Sequence, residues 1–380
     1  ALFYLTELVL SPLFGILSDR FGHHRIMVYG PVFGAIAVVL TGLSTNLVVL
    51  GGTRILEGAS SAASVPSILG FIALATAGNE VLRGKTAARF EGATLAGIGV
   101  GAIVGVKLFE MVGPTAFYLN AVLYGISFLI YRFGVKDPAG EGEAVASEHV
   151  HLDRYLALIR SSHVLVLAPT WIAVNAALGV WLSQSIFTLA RGDPTGKFPN
   201  QALMAGFDAN QITLGAIVVA IVFGAGLLYW GNRFKSLRRT TIIGYGVVGG
   251  AVLVGAGIGA NHLGTAHPLI AIGAAVLAAI GLFVLAGATP AALGLLADMS
   301  ERFPSDRGAI MGLYSVFLAI GQITGSLIGG FAVVWLGIDG MFLATLVLLA
   351  IAMVPLAQLR AEEHRFDQGV TGLDGGKAAT

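Results

Sequence analysis

Long apolar runs fill this sequence, and short segments that hold most of its charge separate them. A helix needs about 20 apolar residues to cross a hydrocarbon core about 30 Å thick. Eleven segments reach about that length: residues 1–17, 26–45, 47–72, 88–109, 114–134, 164–190, 211–230, 241–261, 267–296, 308–334 and 338–358. Helices buried in a soluble globule would show polar faces at 3.6-residue spacing, and these runs lack them. Only 11% of the residues are charged, against about 25% in an average soluble domain. So few charges cannot coat a soluble surface, and so much apolar content excludes disorder. A net charge of +1 gives no footprint for nucleic acid. With no cysteine, disulfides, thiolate zinc sites and iron–sulfur clusters are excluded. The fold class expected is an all-α membrane protein.

Basic residues give the orientation, because cytoplasmic loops are rich in Lys and Arg. One set of alternate loops, with the C-terminal tail, holds 18 of the 22 basic residues, among them Arg20, Arg25, Lys85, Arg89, Arg233 and Arg239. The opposite loops hold only Arg191 and Lys197, while Arg54 and Lys107 lie within spans. The first residue is therefore expected outside and the C-terminus in the cytoplasm.

An internal repeat recurs at an offset of 224 residues. Pro66 maps to Pro290, Arg83-Gly84 to Arg307-Gly308, and Gly113 to Gly337. Gly97, Gly101 and Gly105 map to Gly321, Gly325 and Gly329. Both triplets are GxxxGxxxG, which lets a second helix backbone approach closely. They are expected to serve helix packing. The repeats share one orientation, so the halves are parallel and related by an axis along the membrane normal. The expected organisation is a bundle over 1–135, a cytoplasmic linker over 136–163, a six-helix bundle over 164–358 and a cytoplasmic tail over 359–380. A short surface helix is expected at 151–162. The span 164–190 has no counterpart in the first half, so the offset predicts a further helix upstream of Ala1 and a parent of twelve spans.

The first loop on the basic side reads Gly15-Ile16-Leu17-Ser18-Asp19-Arg20-Phe21-Gly22-His23-His24-Arg25. This resembles the signature G-x-L-A-D-R-x-G-R-K of the major facilitator superfamily. Ser18 stands for the small alanine, and His23-His24 precede the last arginine. Asn232-Arg233-Phe234-Lys235 is a degraded copy in the second half. The resemblance implies a bundle of two parallel six-helix repeats, with eleven of twelve spans present. It also implies that Gly15, Asp19, Arg20, Gly22 and Arg25 form a conformational-switch loop. The Asp19 carboxylate would meet the positive end of the helix that begins near Arg307-Gly308. Arg54-Ile55-Leu56-Glu57-Gly58 resembles the family's R-x-x-x-G of the fourth helix, associated there with proton coupling. The antiporter glycine–proline motif is not met, since residues 92–105 hold glycines but no proline.

Ionisable groups inside spans are costly, so each is a site candidate. Glu7 lies roughly 15 Å above the inner edge of its span, near the midplane. Arg54 and Glu57 share a helix face and a similar depth range. These charges occur in one half only, as Arg54 maps to Ala278 and Glu57 to Gly281. The three are expected to meet, with Glu7 as the proton-coupling carboxylate and Arg54 tuning it or holding an anionic group. Trp171, Asn175 and Gln184, in the span that lines the cavity by resemblance, are substrate-contact candidates. Asn120 and Gln322 join them.

The function expected is a secondary active transporter that moves a small solute by alternating access with proton coupling. A multidrug efflux antiporter of the same superfamily is the alternative, and a non-transporting scaffold or receptor the alternative of another class. No constellation for an enzyme lies in the spans, and no GxxxxGK[ST] loop suggests ATP-driven pumping. No cofactor or metal is expected. The partners expected are a small-molecule substrate, protons and the lipid bilayer of the cell membrane, with the protein a monomer.

Overall fold

The computed structural model describes residues 2–135, 164–264, 267–300, 303 and 306–375. The expected linker, its surface helix and the end of the tail lie outside the described residues. Every described element is helical. The first half comprises α1 (Leu2–Phe21), α2 (His23–Gly42, with a turn at Val28), α3 (Leu47–Ala75), α4 (Glu80–Val112) and α5 (Thr115–Gly134, closing in a π turn). The second comprises α6 (Val164–Arg191), α7 (Ala209–Gly231), α8 (Arg239–Leu263), α9 (Pro268–Leu285), α10 (Ala288–Ser300) and α11 (Arg307–Gly375).

Among the described residues, nine helical stretches are long and apolar enough to cross a membrane. Three of the expected spans read differently. Residues 88–109 lie inside α4, which carries charge towards both ends and is not one of the nine. Residues 308–334 and 338–358 both lie in α11, which bends at Gly337 and continues into the expected tail. The helix starts follow local chemistry. Asn46 accepts from the amides of Val48 and Val49 to cap α3, and Asn79 accepts from Leu82 to cap α4. Asp208 and Gln211 form a capping box at α7.

The repeat is visible in backbone geometry. Gly113 has φ 60° and ψ −141°, and Gly337 has φ 64° and ψ −146°. This region is open only to glycine, and both halves turn there by the same conformation. The halves differ at the repeated proline. Around Pro66 helix α3 is continuous, whereas before Pro290 the chain breaks between α9 and α10.

The halves touch at one end, where α1 ends, α4 and α11 begin, and α7 and α10 end. Gly15 faces Gly308, and a Cβ on Gly15 would stand 2.5 Å from the Gly308 carbonyl oxygen. In the same way a Cβ on Gly84 would stand 2.5 Å from the carbonyl oxygen of Gly231. Two crossings, α1 with α11 and α4 with α7, thus join the halves in pseudo-equivalent places. The largest buried cluster runs through the second half to this junction and includes Trp171, Trp230, Ile242, Leu296, Ile310 and Met341.

Candidate functional site

At the α1–α11 crossing, Asp19 ends α1 with its carboxylate aimed at the first turn of α11. Its Oδ1 accepts from the Gly308 amide at 2.5 Å and its Oδ2 from the Ala309 amide at 2.7 Å. Those amides have no partner inside their own helix, so a carboxylate from the other half satisfies them. The approach requires glycine: a Cβ on Gly308 would stand 2.6 Å from the Gly15 carbonyl oxygen. Behind Asp19, His23 lies 3.7 Å from its carboxylate and 3.0 Å from the Ser18 hydroxyl. Gly22 makes the turn between them with φ 94°. Arg20 and Arg25 are exposed, and Arg20 stacks over the Phe21 ring at 5.4 Å.

Deeper in the first half, Glu7 is 4% exposed and accepts from the Ser61 hydroxyl at 2.8 Å. Arg54 pairs with Glu57 at 2.6 Å and donates to the Thr41 hydroxyl at 3.1 Å. The expectation that Glu7, Arg54 and Glu57 meet is therefore corrected. Ser61 lies seven residues beyond Arg54, about 10 Å along the helix, and Arg54 takes the carboxylate one turn away on its own helix. The result is two groups: Glu7 with Ser61 between α1 and α3, and Arg54 with Glu57 and Thr41 between α3 and α2.

The cavity candidates divide as well. Trp171, Asn175 and Gln322 are buried at the seam of α6 and α11. The Trp171 ring packs 5.4 Å from that of Tyr314, and its indole nitrogen has no partner among the described residues. The Asn175 amide donates to the Trp171 carbonyl at 2.9 Å, and Gln184 donates to the Ser326 carbonyl at 3.4 Å. Asn120 is exposed on α5, away from the other four. The glycine triplets part company too. Gly321, Gly325 and Gly329 press on Asn175, Ala176 and Val180 of α6. At Gly97, Gly101 and Gly105 a Cβ would meet nothing within 4 Å among the described residues, so these three make no close helix contact there.

The structure adds residues that were not among the site candidates. Tyr314 of α11 donates to the buried Glu91 of α4, a bond between the halves. Asp298 of α10 pairs with Arg83 of α4 and, at 3.1 Å, with Arg239 of α8. Arg307 donates to the Ala73 carbonyl at 3.3 Å. The repeat carries a signal for Glu91: its equivalent is Ser315, and Tyr314 is the equivalent of Phe90. Each polar member of the bond is thus present in one half only. In the loop before α7, Asp193 accepts from the Phe198 amide at 2.5 Å, which holds its carboxyl below the ordinary range.

Residues 1–191 and 198–374 match the family model described as Major Facilitator Superfamily. The chain is 24% identical over 335 residues to Multidrug resistance protein 1 of Bacillus subtilis, covering 87% of this chain and 78% of that protein. It is 25% identical over 361 residues to Multidrug resistance protein MdtG of Proteus mirabilis, covering 90% and 80%. In fold it is similar to the human organic anion transporter MFSD10 (TETRAN), with a TM-score of 0.71 and 17% identity over 93% of this chain and 81% of that one.

Proposed function

The chain belongs to the Major Facilitator Superfamily, a family of transporters and not of enzymes, and from that premise we propose that it exports organic compounds in exchange for protons. It is a multi-pass membrane protein that handles small molecules. The exchange reading rests on Glu7, a carboxyl sealed in the first half whose partner is the neutral Ser61 hydroxyl. Among the described residues no cation pairs with it. Burying such a group as an anion is costly, and contact with water removes that cost. Proton exchange at Glu7 is therefore tied to opening of the bundle around it.

The moving parts are the bundles 1–135 and 164–358, joined by 136–163, with the basic loops and the tail 359–380 in the cytoplasm. They rock about the α1–α11 and α4–α7 crossings that join them, and Asp19 on the first amides of α11 latches the cytoplasmic side. The buried seam around Trp171, Asn175, Gln184 and Gln322 supplies aromatic and amide contacts for the compound. Export of several compounds fits the relatives named multidrug resistance proteins. One monomer contains both halves.

The test is efflux from proteoliposomes with an imposed proton gradient, read with a fluorescent lipophilic cation and a fluorescent organic anion. Gradient-driven efflux of either dye in the wild type, lost in Glu7→Gln, is the expected result. Efflux that ignores the gradient, or that Glu7→Gln leaves intact, overturns the proton assignment.

A further inference from the structure

The two crossings that join the halves are alike in backbone and opposite in charge. At the first, the repeat positions of Lys85 and Arg89 are Ala309 and Leu313, both buried, Ala309 against Gly15 of α1, and Asp19 supplies a carboxylate. At the second, Lys85 and Arg89 are exposed, and Asn232 stands where the motif has aspartate. Lys85 and Arg89 are four apart on α4, hence on one face. Among the described residues neither has an ion-pair partner. The neighbouring cations differ: Arg83 and Arg239 both pair with Asp298.

Lys85, Ala88 and Arg89 of α4 and Leu228 and Asn232 of α7 line a cavity of about 230 Å³. This is below the roughly 300–1,000 Å³ of pockets for drug-sized ligands, so it suits a headgroup better than a transported compound. Leu228 continues into an apolar stripe. Leu214, Ile217, Ile221 and Leu228 are all exposed and share one face of α7. Two uncompensated cations at the end of an exposed apolar stripe match the two ends of one molecule.

We propose that the α4–α7 crevice binds an anionic phospholipid, with its phosphate between Lys85, Arg89 and the Asn232 amide and an acyl chain along the α7 stripe. Basic pockets between membrane helices take such headgroups. The lipid would bridge the halves at the crossing that lacks a carboxylate latch, and so favour closure at that end. This inference is independent of Glu7.

The test is lipid retention, read by native mass spectrometry of the protein from bilayers of phosphatidylcholine and phosphatidylglycerol in equal amounts. The wild type is expected to retain phosphatidylglycerol over phosphatidylcholine. Each cation removed should weaken retention about fivefold, so Lys85→Gln/Arg89→Gln should lose most of it. Lys85→Arg/Arg89→Lys should keep it. Asn232→Asp is close to isosteric and keeps both cations, yet it gives the crevice its own carboxylate and should also abolish retention. Inorganic phosphate, which has the charge without the chains, should not displace the lipid. Unchanged retention in Asn232→Asp, or in the folded double Gln variant, overturns the proposal. So does displacement by inorganic phosphate, which would mark a site for a soluble anion.

Discussion

Glu7 and Arg54 show how far single residues can be read. Both stand out in the sequence because a charge inside an apolar span is rare, but only packing sets their partners. Arg54 neutralises Glu57, so removing one member strands the other in a half-buried place. Arg54→Ala should therefore lower thermal stability in detergent more than Arg54→Ala/Glu57→Gln does. A double variant less stable than the single would show that the pair is not a unit. Asp193 gives a pH prediction outside the bilayer. Its carboxyl is depressed by the Phe198 amide, so its contribution is present above the ordinary carboxylate value and is lost as pH falls through the lowered one. Protection of the Phe198 amide from hydrogen exchange, measured relative to its intrinsic rate at each pH, should hold while pH passes the ordinary value and fall only below it. Ser61 carried no signal in the sequence, because a serine in a membrane helix is unremarkable until a carboxyl meets it.

At the scale of helices the glycines separate into kinds that the sequence could not distinguish. Gly101 and Gly325 occupy the same repeat position, yet Gly325 lies against the Ala176 backbone and Gly101 against nothing. Gly325→Ala should cost about 1–3 kcal/mol through overpacking. Gly101→Ala should be neutral or stabilise by up to about 1 kcal/mol, since alanine favours a helix. Thermal unfolding of the two variants checks the contrast, and equal effects would contradict it. Gly337 is needed for its backbone, and a Cβ there would also stand 2.6 Å from the Gln201 side chain. Gly337→Ala should cost about 1–3 kcal/mol from the strained conformation, and Gly113→Ala should do the same in the other half. That similarity, measured side by side, tests whether the repeat is energetic as well as geometric.

For the whole molecule, the question is which contacts set the balance between closed and open states. Asp19 satisfies two amides of the opposite half. Asp19→Ala should cost about 1 kcal/mol of closure, the value of a helix cap, and so shift the open-to-closed ratio about fivefold. The chain has no cysteine, so spin labels at Ala77→Cys and Ser236→Cys, both exposed and in opposite halves, can report the separation directly. A longer-distance population in Asp19→Ala, and a smaller one in Asp19→Asn, are expected. Unchanged distances would remove Asp19 from the latch.

The sequence by itself determined that this chain is helical and lies in a membrane, because apolar runs of this length must satisfy their backbone hydrogen bonds internally. It also carried the repeat, the loop motif that names the family and the carboxyl at position 7. The helix ends were legible for the same reason: Asn46, Asn79 and Asp208 act on amides within three residues. The tertiary structure alone decided that Arg54 turns away from Glu7, that Glu91 meets Tyr314, that one glycine triplet packs and its twin does not, and that one crossing carries the Asp19 carboxylate while Lys85 and Arg89 at the other have no ion-pair partner among the described residues. Those outcomes join residues up to 290 positions apart. Hydrophobicity and spacing describe a helix's own faces, but which face meets which neighbour follows from packing the whole bundle.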